Sequence, residues 1–93
     1  MTAIQNNRVP HLPRGVRLRR CKVRKAWFLL APERAVRLDD IGAHILQSLD
    51  GERDFAGVVA HLAAQFDAPR EQIAKDVEGF LSGMHARRMV EVK

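Results

Sequence analysis

The hydrophobic period of this chain changes once, near Leu38, and that change limits the folds open to it. Before it, apolar and polar residues alternate: Val16 and Leu18 with Arg17 and Arg19, then Val36 and Leu38 with Ala35 and Arg37. Period two marks a half-buried strand. Between these stretches lies Ala-Trp-Phe-Leu-Leu-Ala, residues 26–31. It is apolar throughout and too short for a helix, which predicts a central strand covered on both faces. Polar turns at residues 22–25 and 32–34 separate the three stretches. Strands so closely linked form an antiparallel meander.

Beyond Leu38, apolar residues recur every three to four positions, the helical period. Ile41, Ile45 and Leu49, with Leu46 beside them, predict a first helix. Asp39 or Asp40 would cap it, and Gly51 would end it. Val58, Leu62 and Phe66, widened by Val59 and Ala63, predict a second helix capped by Asp54. Ile73, Val77, Phe80, Leu81 and Met84 form the core stripe of a third, over residues 69–88. Residues 89–92 alternate and predict a short last strand. Residues 1–13, with two prolines and few apolar groups, are expected to be a flexible arm ahead of a single domain at 14–93. Strands followed by helices indicate an α+β fold. The expected form is winged helix-turn-helix-like: a three-stranded antiparallel sheet, three helices and a short last strand. Leu, Ile, Val and Phe make up 26 of 93 residues, enough for one packed core.

Several function classes fall away. The longest apolar run, residues 26–32, is far short of the roughly 20 residues that cross a bilayer, so no membrane partner is expected. The first residues hold no apolar stretch of the kind that directs secretion, and Pro10 and Pro13 interrupt any amphipathic targeting helix. The lone Cys21 allows neither an internal disulfide nor a multi-thiolate metal site, and its expected state is a reduced thiol in the cytoplasm. His11, His44, His61 and His85 show no metal-ligand spacing. No base is placed near Cys21, and no glycine-rich phosphate loop is present. An enzyme is not expected, nor a cofactor.

Other features point to binding. Residues 1–37 hold ten cations against one acid, net +9, while residues 38–93 hold six against ten, net −4. The basic block Arg14, Arg17, Arg19, Arg20, Lys22, Arg24 and Lys25 raises the alternative of a winged-helix DNA-binding protein. The predicted recognition helix argues against nucleic acid: Glu71, Asp76 and Glu78 outnumber Arg70 and Lys75, the wrong sign for a groove lined by phosphates. A three-strand meander leaves edges that can accept an added strand from another chain, and Arg37 is the only charge on the third strand, Ala35, Val36, Arg37 and Leu38. Solvent or the chain's own arm are the other candidates to cover that edge. Gly79 and Gly83, four apart, share one side of the third helix with Gln72 and Asp76. Each glycine costs about 1 kcal/mol against alanine in a helix interior. Two together suggest a furrow, either for a ligand or for another part of the same chain.

These residues carry a resemblance. Arg17-Leu18-Arg19 followed by Trp27-Phe28-Leu29-Leu30-Ala31-Pro32-Glu33-Arg34 resembles the opening of the pyrroloquinoline quinone biosynthesis protein D (PqqD) family. Ile45-Leu46 with Leu49-Asp50-Gly51-Glu52-Arg53 is similar to its first helix and turn. Residues 62–69 and 76–81 resemble the remainder. The chain departs from the pattern at Arg87-Arg88-Met89, where a more apolar exit is expected. The resemblance implies a peptide chaperone: a recognition element that binds a ribosomally made precursor peptide and presents it to a radical S-adenosylmethionine enzyme. It implies that the peptide adds as a strand along Ala35, Val36, Arg37 and Leu38 and lies against Gln72, Lys75, Asp76, Gly79 and Gly83. A homodimer through the same edge remains open at this point.

Overall fold

A computed structural model describes residues 5–93. The elements are β1 (Pro10–His11), β2 (Arg17–Cys21), β3 (Ala26–Ala31), β4 (Arg34–Leu38), α1 (Asp40–Gln47), α2 (Phe55–Phe66), α3 (Arg70–Ala86) and β5 (Glu91–Val92). The expected order of three strands, three helices and a last short strand is present. β2, β3 and β4 form one antiparallel sheet with β3 in the centre, and β1 pairs with β5 in a second. The β2–β3 turn closes through Lys25 in the left-handed region, φ 52°. Pro32 and Glu33 make a two-residue connection, set by the pairing of Ala31 with Arg34.

Register decides which side of the sheet is buried. Leu18, Leu29 and Val36 stand in one row, and Trp27 and Leu38 in the next. All five pack with the helices, and Leu29 is fully buried. Phe28 and Leu30 point the other way and are only half-buried. The central strand is therefore covered on one face, not two. Its apolar outer face has an explanation other than the core.

Asp39 and Asp54 cap α1 and α2: their carboxylates accept from Gly42 N at 2.7 Å and Gly57 N at 2.8 Å. Caps of this kind stabilise by about 1 kcal/mol each. Asp67, at φ 50°, ends α2 in a left-handed cap. α1 stops earlier than the pattern suggests. It ends at Ser48, whose Oγ donates to the Ile45 carbonyl, and Gly51 (φ 81°) instead shapes the following turn. Val77, Leu81 and Met84 of α3 close the core against Val58, Val59 and Leu62 of α2.

The N-terminal segment differs most from expectation. Of the arm predicted over 1–13, residues 1–4 lie outside the described residues. The rest is held in place rather than loose. Pro10 pairs with Val92 and His11 with Glu91, and Lys93 N donates to Val9 O at 2.9 Å. Phe55 N and Ala56 N donate to Arg8 O (2.8 Å) and Asn6 O (3.2 Å). With Asp54 serving Gly57, the first three amides of α2 have partners, two of them from this segment. Met89 and Val90, just after the departure at Arg87-Arg88, are fully buried and anchor β5.

Candidate functional site

β4 is an edge strand: among the described residues only β3 pairs with it. Val36 is half-buried against the core and Leu38 is buried, so the strand is fixed by one face. Ala35 and Arg37 are exposed on the other. In an antiparallel ladder alternate residues direct their N–H and C=O groups away from the neighbour, so this edge offers backbone groups in strand register. Among the described residues no part of the chain's own arm takes the edge; residues 10–11 pair with β5.

The third-helix residues stand on an open flank of α3. Gln72, Lys75, Asp76, Gly79 and Gly83 are all exposed. Gln72 Nε2 donates to Asp76 Oδ1 at 3.1 Å, one turn apart. A Cβ built on Gly79 or Gly83 would meet nothing within 4 Å. Packing by another described part of the chain is thus not why these glycines are there. Higher on the same helix Phe80 closes onto α1: a Cβ on Gly42 would lie 2.9 Å from its Cε1. Since α1 begins directly after β4, this contact ties the free edge to the flank of α3.

Sequence reasoning missed one component. Ile41, Ile45, Leu62, Phe66, Ile73 and Val77 line a cleft of about 190 Å³ where α1, α2 and α3 meet, with Asp76 its one charged residue. Ile41 is 56% exposed and Phe66 40%, although both fall on predicted core stripes. Phe66 is steadied edge-on by His44, ring centres 5.0 Å apart, and Gln65 Nε2 donates to His44 Nδ1 at 3.3 Å. Both apolar residues sit at helix ends, Ile41 in the first turn of α1 and Phe66 last in α2. That end position was the available signal. Asp76 joins the cleft to the glycine flank. An extended apolar segment carrying a cation would find here a ladder edge, a hydrophobic recess and a carboxylate.

Together these features define a class: a small winged-helix-like domain that leaves a sheet edge, a helix flank and an apolar recess unfilled. The chain's family follows from comparison with known proteins. The model for "Coenzyme PQQ synthesis protein D (PqqD)" matches residues 26–90, and the chain belongs to that family. The PqqA binding protein of Rhizobium meliloti (strain 1021) is 48% identical over 96% of this chain and 91% of its own length. That of Xanthomonas euvesicatoria pv. vesicatoria (strain 85-10) is 41% identical over 99% and 100%. Among solved structures, the chain is similar to the PqqD truncation of Methylobacterium extorquens PqqCD, described as a functional and stand-alone recognition element for ribosomally synthesized and post-translationally modified peptides. The TM-score is 0.83 at 39% identity, covering 97% of this chain and 96% of that one. The crystal structure of PqqD from Xanthomonas campestris matches with TM-score 0.58 at 42% identity, over 84% and 87% of the two chains.

Proposed function

We propose that this chain is a peptide chaperone of pyrroloquinoline quinone biosynthesis. It binds the ribosomal precursor peptide PqqA and presents it to a radical S-adenosylmethionine enzyme, and performs no chemistry itself. The observation that carries this is its full-length relationship to PqqA binding proteins. The open elements support a location. The peptide adds as a strand on Ala35, Val36, Arg37 and Leu38, where backbone bonds set register. It runs past Gln72, Lys75, Asp76, Gly79 and Gly83, and one apolar side chain enters the cleft beside Ile41. Burying such a side chain supplies about 1.5–3 kcal/mol, more than Arg37 or Lys75 can add through exposed ion pairs at about 0.2–1 kcal/mol each. A second copy pairing along β4 is the competing occupant of the edge.

The DNA-binding alternative finds no support. The family is one of peptide binders by the names of its relatives. The basic block runs from just before β2 to the β2–β3 turn, while on α3 Glu71, Asp76 and Glu78 outnumber Arg70 and Lys75. No helix among the described residues is long and apolar enough to cross a membrane, and a free Cys21 suits a reducing cytoplasm. The test is an NMR titration of the isotope-labelled chain with the precursor peptide from the same genome. Saturable shifts at residues 34–38 and 72–83 are expected. Their absence, with the peptide in excess, refutes the role. Shifts confined to other residues refute the location.

A further inference from the structure

The outer face of the sheet carries a second surface. Register puts Arg19 beside Phe28 and Phe28 beside Arg37 in one row, and Arg17 beside Leu30 in the next. Phe28 and Leu30 are half-buried and lie outside the core, while the arginines are exposed. The β2–β3 turn extends the patch with Lys22, Arg24 and Val23, the last 93% exposed. No acidic residue stands on this face of the three strands. Among the described residues the one ion pair is Arg53 with Asp50, at 4.0 Å, so none of these cations has a carboxylate within that distance.

An apolar centre rimmed by cations without acidic partners has the composition of a contact surface. A second copy through this face would set like charges against each other. Single-stranded nucleic acid needs a row of rings for stacking, and Phe28 is the only ring here, Trp27 being packed with the core. What fits is a protein surface with an apolar centre and an acidic rim, the composition in which Phe and Arg act as anchors. We infer that the outer face of β2–β4, centred on Phe28 and Leu30 and rimmed by Arg17, Arg19 and Arg24, docks an acidic surface of the enzyme that receives the peptide. This rests on the chaperone role proposed above. It faces away from the core-packed side of the sheet and leaves the backbone edge of β4 to the peptide, so one chain can hold both at once.

The test uses the full chain, the precursor peptide and the radical S-adenosylmethionine enzyme of the same genome. An Arg17→Glu/Arg19→Glu variant, and separately Arg24→Glu with Phe28→Ser, are compared with the original in peptide and enzyme titrations, folding being checked by thermal melts. Expected is unchanged peptide affinity with enzyme affinity about tenfold weaker in the first variant, and enzyme binding by the original chain that falls as salt rises. Enzyme affinity unchanged in both variants overturns the inference, as does failure of the peptide-loaded original chain to bind the enzyme. So does saturable binding of a single-stranded oligonucleotide that the first variant loses. Failure of the original chain to bind the peptide refutes the chaperone role itself, and this inference with it.

Discussion

Gly42 and the pair Gly79 and Gly83 are all helical, where glycine costs up to about 1 kcal/mol relative to alanine. Their surroundings are opposite. At Gly42 the space a side chain would fill is taken by Phe80 and by the Asp39 carboxylate, 2.9 and 3.1 Å from a Cβ built there. At Gly79 and Gly83 nothing lies within 4 Å. The first glycine is repaid inside the fold, by letting α3 approach α1. The other two are repaid by nothing in the described chain. That difference separates a glycine whose missing side chain the packing uses from two whose missing side chains it does not use, which the proposed peptide groove would explain.

Filling the closed site tests the first half of the contrast and has the largest expected effect. Gly42→Val overpacks against Phe80 and should destabilise by about 2 kcal/mol, read as a lower urea midpoint at unchanged slope. A midpoint like that of the original chain would mean that Phe80 swings away freely and that the α1–α3 contact is not tight. Next in size is the recess beside the open flank. Ile41→Ser removes a residue 56% exposed, so stability should fall by about 1 kcal/mol, the share of its burial already made in the free chain. Peptide affinity should fall roughly tenfold, about half the value of a fully buried isoleucine. Calorimetry with the precursor peptide reads this, and unchanged affinity would remove the cleft from the site.

The contrast also shows how far the sequence was legible. The period change at Leu38 placed the sheet and all three helices, because burial on one face leaves a repeat that follows backbone geometry. Asp39 and Asp54 were readable as caps for a local reason: the carboxylate reaches an amide three residues on. What failed was non-local. Ala26–Ala31 looks like a strand buried on both sides, and only the register with Arg17, Arg19 and Arg37 shows that Phe28 and Leu30 face outward. Residues 5–11 look loose because their bonds go to Phe55, Ala56, Val92 and Lys93, far along the chain. Gly79 and Gly83 were legible as an anomaly, while Ile41 and Phe66 gave only the signal of their place at helix ends, since an apolar residue in helical register reads as core whether or not the fold covers it.

Substituting the open pair tests the second half. Gly79→Ala and Gly83→Ala should each raise stability, by up to about 1 kcal/mol, because helix propensity improves and no atom is displaced. The same changes should weaken the peptide, since a methyl group would stand where its backbone passes. Stabilisation with undiminished affinity would show that the peptide keeps away from this flank, and the furrow would lose its role.

Open space alone does not mark a binding glycine, and the turn after α1 sharpens that point. Gly51 also has nothing within 4 Å of a built Cβ, but its φ of 81° already explains it. Asp50 holds that turn: its Oδ1 accepts from Arg53 N at 2.7 Å and Glu52 N at 3.0 Å. These backbone donors, that of Arg53 foremost, hold the carboxyl below its ordinary 3.8, with the Arg53 guanidinium adding a smaller pull the same way. A group depressed on folding stabilises above its unfolded value and loses that contribution as pH falls through the folded one. Asp50→Asn should therefore lower the melting temperature slightly at neutral pH, and the gap to the original chain should close below about pH 3.8. The Asp50 side chain is about half exposed, where solvent screens such interactions, so the effect should be the smallest of the set. A gap that persists undiminished in acid would mean the turn depends on side-chain shape rather than charge.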